Sequence, residues 1–443
     1  MQRVLSYGLA LALLDGAWDR ASLQLRARRA LGRRLPGVRD LCVRVLAAFP
    51  EPPDEVSELS GFIAQDALLA AWRARDVVPR IRKWFFPPPH MAAARGRLAA
   101  IRVPWIESEG ALATYLDLSP PELSWFADVQ RMHATAGCDA RLRHYHYRWL
   151  KKRSAGYRLL ESPKPRLAAL QRAIASGILA RLPASAAAHG FVPQRSVQSF
   201  VAPHVGQRVV LRLDLEDFFA SITGYRVRAI FRSLGYPGAV AHLLACLCCV
   251  PTPDDIIKAQ PLEGSSPAAR FACGLRLRTA HLPQGAPSSP VLSNLVAHRL
   301  DRRLAGLARA VDARYTRYAD DLAFSGGRAF EAVVSRIIPR IGAIVLEEGF
   351  VLRYRKTRVM RSGARQMLTG LVLNQKANVP RRDYDGLRAI LHNAARFGPQ
   401  SQNRAQHADF RAHLAGRIAW MAASNPRRGQ RLRELFTRIA WDV

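Results

Sequence analysis

Two adjacent carboxylates, Asp320 and Asp321, sit inside RYTRYADDLAFSG, and this segment constrains the fold more than any other. The apolar residues on either side read as two short strands, with Ala319-Asp320 at the tip of the turn between them. Like charges held that close raise each other's pKa, and a divalent cation removes the repulsion. Asp is also common in turns, so the pair alone is compatible with a solvated tip. A third carboxylate, Asp214, ends VVLRLDL, a run apolar enough for a buried strand. Taken singly, it reads equally well as a strand-end residue bonded to a loop. Three carboxylates on two strands can hold two Mg²⁺ ions about 3.5–4 Å apart. Mg²⁺ prefers oxygen ligands and keeps several waters, so three carboxylates plus substrate phosphates suffice. That combination suits phosphoryl transfer, where positioning and charge do most of the catalysis.

The charge balance narrows the partner. Against 34 Asp and Glu stand 67 Lys and Arg, a formal net charge of +33. A field of that sign gathers polyanions and favours nucleic acid or an anionic membrane. Codon bias in a GC-rich genome accounts for Arg over Lys, but less well for the shortage of acids. Six cysteines (Cys42, Cys138, Cys246, Cys248, Cys249 and Cys273) form no regular disulfide framework. Cys246-Leu-Cys-Cys249 lies in an apolar stretch with no second CxxC, so free core thiols are expected rather than zinc. Reduced thiols fit a cytoplasmic location. The N-terminal apolar run is interrupted by Asp15 and Asp19 and reads as an amphipathic helix rather than a signal peptide. No run approaches the roughly 18 residues that span a membrane, so none is expected as a partner.

Along the chain, residues 1–130 read as a basic helical extension, with helical spacing in LSYGLALALL, VRDLCVRVLAAF and FIAQDALLAAW. Pro52-Pro53 and Pro87-Pro88-Pro89 break it into pieces. SPPELSWF reads as a helix start with Ser119 as N-cap. Aromatic, basic and turn residues mix around Tyr145, and LAALQRAIASGILARL then reads as a helix. Residues 225–250 read as helical, 251–280 as irregular, and LSNLVAHRLDRRLAGLA as one amphipathic helix. The last 70 or so residues read as helical and basic.

Three segments in order carry a family likeness: Leu213-Asp214-Leu215-Glu216-Asp217-Phe218-Phe219, Leu282-Pro283-Gln284-Gly285-Ala286-Pro287-Ser288-Ser289-Pro290 and Tyr318-Ala319-Asp320-Asp321. The first matches the first palm motif of bacterial reverse transcriptases of the retron and group II intron type. The second resembles their motif against the incoming nucleotide and template, and the third matches their YxDD motif. Over roughly residues 140–443 the chain resembles that family. The resemblance implies an α+β right-hand polymerase, with fingers and an antiparallel-sheet palm over 140–375 and a helical thumb over 376–443, behind the extension of 1–130. It implies Asp214, Asp320 and Asp321 as catalytic residues. These three, with the backbone carbonyl of Leu215, would hold two Mg²⁺ ions, or Mn²⁺.

The resemblance implies further roles. Arg158 lies where the family places a base on the incoming triphosphate; otherwise it is a surface arginine. Phe219 lies where the family has an aromatic gate against a ribose 2′-OH, the group that separates RNA from DNA. The alternative is core packing, and on a strand one ring of the Phe218-Phe219 pair would face in and the other out. Gln284 and Gly285 would meet the base-pair edge, the glycine permitting close approach. Lys356 matches a lysine that could protonate leaving pyrophosphate, or is a solvated charge.

Within the family, FVAPH at 200–204 keeps the His204 of a retron-type Asn-Ala-x-x-His segment, with Phe200-Val201 in place of Asn-Ala. Leu368-Thr369-Gly370 stands where Val-Thr-Gly is typical. No maturase or endonuclease segment follows, which favours a stand-alone retron-type or defence-associated enzyme. The implied partners are a cognate structured non-coding RNA as template, dNTPs, a DNA product of the msDNA kind and an effector protein in antiviral defence. Two other readings stay open: a template-independent or protein-primed polymerase, and a catalytically idle RNA-binding scaffold.

Overall fold

The computed structural model describes residues 2–53, 56–75, 77–85, 91–92, 100–130, 132, 139–152, 156–264 and 266–441. Cys138 and the Pro87-Pro88-Pro89 break lie outside the described residues. Two compact units are present, Met1–His90 and Met91–Val443.

The first unit is helical: α1 (Gln2–Leu14), α2 (Arg20–Leu31), α3 (Val38–Ala48), α4 (Val56–Gln65) and α5 (Ala67–Ala74). Leu9, Leu13, Leu23, Ala27, Leu41, Val45, Leu59 and Ile63 are fully buried in its core. Asp19 caps α2 by accepting from the amides of Ala21 and Ser22, as expected of an N-cap carboxylate. Arg26 is buried and donates to the carbonyls of Leu13 and Ala17, which satisfies the end of α1.

The second unit begins with α6 (Glu109–Tyr115) and α7 (Pro120–Ala127). Ser119 is the N-cap, as foreseen, and the structure adds a capping box, with Glu122 accepting from its amide at 2.8 Å. These helices bury Leu112, Leu116, Leu123 and Ala127 in the same core as Leu211 and Phe324. The division therefore falls at His90–Met91 rather than near residue 130. The helical spacing was readable, but which core its apolar face joins is a tertiary fact.

Then follow the hairpin β1 (Tyr145–Lys151)/β2 (Tyr157–Pro163), α8 (Pro165–Gly177), α9 (Val197–Val201), β3 (Val209–Asp214), α10 (Gly224–Ser233) and α11 (Gly238–Cys248). Residues 251–280 are not irregular: α12 (Asp254–Lys258) and α13 (Pro267–Arg278) lie there. Ser266 caps α13 and Pro267 opens it, so the turn-type residues mark a helix boundary rather than a loop. The expected single helix of 292–308 is two, α14 (Ser289–Val296) and α15 (His298–Ala310). The unit continues through β4 (Ala313–Tyr318), β5 (Asp321–Gly326), α16 (Arg328–Glu347), β6 (Arg358–Arg361) and the small hairpin β7 (Met367–Leu368)/β8 (Leu371–Val372). It closes with α17 (Arg381–Phe397), α18 (Phe410–Ser424) and α19 (Pro426–Phe436).

The central antiparallel sheet has the order β4-β5-β3-β6. Its alternating side chains feed two cores. Leu211, Leu213, Leu322 and Phe324 enter the core shared with α6–α8, α10, α11, α14, α15 and α16. Val210 and Ala323 enter a second core with Leu387, Leu391, Leu414 and Ile418 of the C-terminal helices. Burial on both faces explains why VVLRLDL reads as a continuous apolar run rather than an alternating one. Cys248 and Cys249 are buried free thiols in the first core. Among the described residues no helix is long and apolar enough to cross a membrane.

Candidate active site

The three carboxylates meet at one end of the central sheet. Asp214 is the last residue of β3 and pairs directly across the strands with Asp321, the first residue of β5. Asp320 lies in the β4–β5 turn, and its carbonyl accepts from the amide of Leu215 at 2.9 Å. The turn is tight enough to hold Ala319 at φ 53°, a left-handed conformation unusual for alanine. It is supported from behind. The His189 amide donates to the Arg317 carbonyl and the Arg317 amide to the Ala187 carbonyl, each at 2.7 Å. A Cβ on Gly190 would stand 2.7 Å from the Ala319 nitrogen, so only glycine lets the two backbones approach.

The carboxylates form the floor of a cleft of about 920 Å³, which Arg158, Phe219, Gln284 and Lys356 also line. Lys356 donates to Asp214 Oδ2 at 2.8 Å, and Arg353 lies 3.4 Å from Oδ1. Arg212 grips Asp321 Oδ1 through Nε at 2.9 Å and Nη2 at 2.7 Å. Even so the negative charge is undercompensated. Burial, then Asp321 and Asp214, push the Asp320 carboxyl up to about 6. Burial also raises Asp321, against the pull of Arg212. Asp214 Oδ1 is buried and accepts no hydrogen bond. An orphaned carboxylate oxygen between two strained carboxyls fits a hard cation. The set is not converged for one, however. Among the described residues no three His, Cys, Asp or Glu side chains stand as a ready ligand group, and Lys356 and Arg212 hold Asp214 and Asp321.

The other expected residues fall into two groups. Arg158 is exposed on β2, facing the cleft. Gln284 and Gly285 follow the strand's edge, with the Gln284 carbonyl accepting from the amide of Glu161 at 2.8 Å. Gly285 has φ 129° and would bring a Cβ to 3.1 Å from the Glu161 carbonyl. Phe218 and Phe219 are not on a strand, because β3 ends at Asp214 and Asp217 turns the chain at φ 44°. The expected division of labour still appears: Phe218 is buried, and Phe219 lines the cleft with its ring 6.0 Å from that of Phe191. His204, Leu368, Thr369 and Gly370 are not cleft residues. His204 is fully buried, bridging Ser325 and Thr316 at 2.7 Å each, and burial pushes it down to about 3, so it is a neutral brace of β4 and β5. Leu368 ends β7, and Thr369 and Gly370 form the turn of the β7–β8 hairpin.

Several site residues were not foreseen. Arg212 stands two residues before Asp214, hence on the same strand face, and that spacing was the available signal. Asp217 collects Arg276 at 2.8 Å and Lys152 at 3.5 Å. Glu161, also in the cleft wall, is buried with both oxygens bound: Thr252 donates to Oε1 at 2.7 Å and His281 meets Oε2 at 2.9 Å. Burial disfavours a charged imidazole at His281, but the adjacent Glu161 prevails and raises its pKa. This buried pair ties β2 to the segment leading into Gln284. No local pattern announces a pair so far apart in sequence.

A carboxylate-bearing antiparallel sheet at the floor of a basic cleft is a site for a phosphate-rich substrate. Residues 150–376 match the family described as reverse transcriptase (RNA-dependent DNA polymerase), and the chain belongs to that family. The family implies a right-hand polymerase fold and generally uses divalent metal ions. The retron Mx65 reverse transcriptase of Myxococcus xanthus is 44% identical over 292 residues, which is 66% of this chain and 64% of that protein. The Mx162 enzyme of the same organism is 35% identical over 73% of this chain and 65% of its own length. The Ec86 enzyme of Escherichia coli is 34% identical over 53% and 64%. The matched region thus spans just under two thirds of each relative.

Proposed function

We propose that the protein is an RNA-directed DNA polymerase that adds dNTPs to a primer on an RNA template. The observation carrying this reading is Asp214 opposite Asp321 with Asp320 beside them, on the floor of a cleft shared with Arg158, Phe219, Gln284 and Lys356. In this reading the β1–β2 hairpin belongs to the fingers, the central sheet to the palm and α17–α19 to the thumb. Asp214, Asp320 and Asp321, with the Leu215 carbonyl, would hold two Mg²⁺ ions, which when bound supply charge neutralisation for the phosphates and acidify the primer hydroxyl.

The chain's own residues do the rest. Arg158 steadies the triphosphate through charge-assisted hydrogen bonds. Gln284 and Gly285 seat the base pair, and the Phe219 ring occupies the space a ribose 2′-OH would need. Lys356, in the same cleft, would donate a proton toward pyrophosphate. The likeness to retron enzymes supports a cognate structured RNA as template and an msDNA-like product, used with an effector in antiviral defence.

The test is primer extension on RNA of defined sequence, comparing the protein with Asp321→Asn. Product whose sequence follows the template, absent from the variant, is expected. Product unrelated to the template would favour template-independent synthesis, and equal product from both proteins would overturn the assignment. Nucleic acid co-purified with the protein and digested separately with RNase and DNase tests the finer reading. DNA joined to RNA, present only with the active protein, is expected; RNA alone would rule out msDNA.

A further inference from the structure

The first unit carries a surface that the cleft does not explain. Residues 20–39 contain Arg20, Arg26, Arg28, Arg29, Arg33, Arg34 and Arg39 and no Asp or Glu. Arg26 is buried and spent on α1, but Arg28, Arg29, Arg33 and Arg34 are exposed at the C-terminal end of α2. Residues 80–85 run across the same end. The amides of Arg82 and Lys83 both donate to the Ala30 carbonyl, at 2.7 and 3.1 Å. Phe85 pins this strap by packing with Ala12 and Ala30. The Arg82 stem lies over Gly32, where a Cβ would come within 2.8 Å of its Cγ. Six cations, Arg28, Arg29, Arg33, Arg34, Arg82 and Lys83, are thus gathered at one helix end by ordered backbone.

None of the six has an ion-pair partner among the described residues, whereas Arg212, Arg276 and Lys356 at the cleft are held by Asp321, Asp217 and Asp214. Like charges assembled without counter-charge repel, so the patch is most stable with a polyanion on it. Arginine's planar fork suits phosphate oxygens. A membrane is a poor occupant, because Leu23, Ala27, Ala30 and Leu31 of α2 are buried in the core and leave Leu25 as the one exposed large apolar residue of that helix. Single-stranded nucleic acid would need a row of aromatic platforms. Here Trp84 is the exposed ring of the strap, and its edge rests near Gly8. What remains is backbone contact without base reading, the mode by which double-helical RNA is held.

We propose that Arg28, Arg29, Arg33, Arg34, Arg82 and Lys83 form a binding surface for the phosphate backbone of double-helical RNA, separate from the polymerase cleft. The choice of RNA rests on the polymerase reading above; the call for a phosphate polyanion does not. The test uses the full chain and a hairpin RNA of about two helical turns with no primer, followed by fluorescence anisotropy over a salt series. In Arg28→Gln/Arg29→Gln/Arg33→Gln/Arg34→Gln, hairpin affinity should fall at least about 30-fold and the salt slope by about 3 to 4, at roughly 0.9 per lost phosphate contact. Extension of a short pre-annealed primer–template should stay within about twofold. The all-lysine version should recover most of the affinity, and Arg73→Gln/Arg75→Gln at the C-terminal end of α5 should cost much less per charge than the quadruple change.

Unchanged affinity and slope in the quadruple variant would overturn the proposal, as would an equal per-charge loss in the α5 variant or no recovery by lysine. Phosphatidylglycerol vesicles bound by the parent and lost by the variant, with hairpin binding intact, would also overturn it in favour of a membrane. Failure of the parent to extend any primer would defeat the polymerase reading instead, while the hairpin arm would still judge the patch.

Discussion

Strand β4 and the turn that follows it carry two buried charge clusters that behave in opposite ways. In the first, Arg317 is fully buried and donates through Nε and Nη2 to the two oxygens of Asp301, at 2.7 Å each. Tyr315 adds a hydrogen bond to Asp301 at 2.9 Å. In the second, Asp320 is pushed up to about 6 by burial and like charge, and Asp214 Oδ1 accepts no hydrogen bond. The first cluster is saturated and supports the second, since Arg317 Nη1 also donates to the Ala319 carbonyl of the turn. A closed network of buried charges makes architecture; one left open makes a place for a ligand.

This contrast can be broken from either side. The largest effect is expected from Asp301→Ala, which strands a buried guanidinium and a tyrosine hydroxyl. It should cost about 5 kcal/mol of stability, read by urea unfolding. A loss below about 1 kcal/mol would mean that the network is not structural. Next comes Asp214→Asn, expected to lower primer extension by about 10³-fold, near 4 kcal/mol on the barrier, with the melting temperature unchanged or higher. A coincident collapse of both would place Asp214 among the structural charges.

Asp320→Asn should lose activity yet gain stability, by at most about 3 kcal/mol near neutral pH for a carboxyl moved from 3.8 to about 6. The sign follows from the raised value. The folded state holds the Asp320 proton more tightly than the unfolded chain, so its favourable contribution is present below about pH 4 and lost as pH rises through 6. Unfolding free energies of parent and variant should therefore converge at low pH and separate between pH 4 and 6; parallel curves would refute the strained carboxyl. The smallest effect is expected at Arg212→Gln. Freeing Asp321 should change the Mg²⁺ concentration for half-maximal extension a few-fold, while Arg212→Lys restores it partly, since exposed-side pairs are weak. No change in the metal requirement would make Arg212 a bystander.

Much of the site was legible because its residues are local. The hairpin around Asp320-Asp321, the strand ending in Asp214 and the glycine-bearing Gln284-Gly285 segment each announce themselves within about ten residues. The pairings across the fold were not legible. Glu161 meets Thr252 and His281, His204 spans Thr316 and Ser325, and α6 and α7 join the polymerase core rather than the N-terminal helices. Turn-type residues at Ser266-Pro267 resembled a loop because helix starts and loops use the same residues.

By itself the amino-acid sequence determined most of the elements, the three carboxylates and the family, since propensity, periodicity and motif order are properties of neighbours along the chain. Only the tertiary structure decided which carboxylate is held by which cation, that His204 is a brace inside the sheet, and that the arginines of α2 join Arg82 and Lys83 in one patch. Those outcomes depend on burial and distance between segments far apart in sequence, where desolvation and Coulomb energy are set by the surroundings rather than by the residue type.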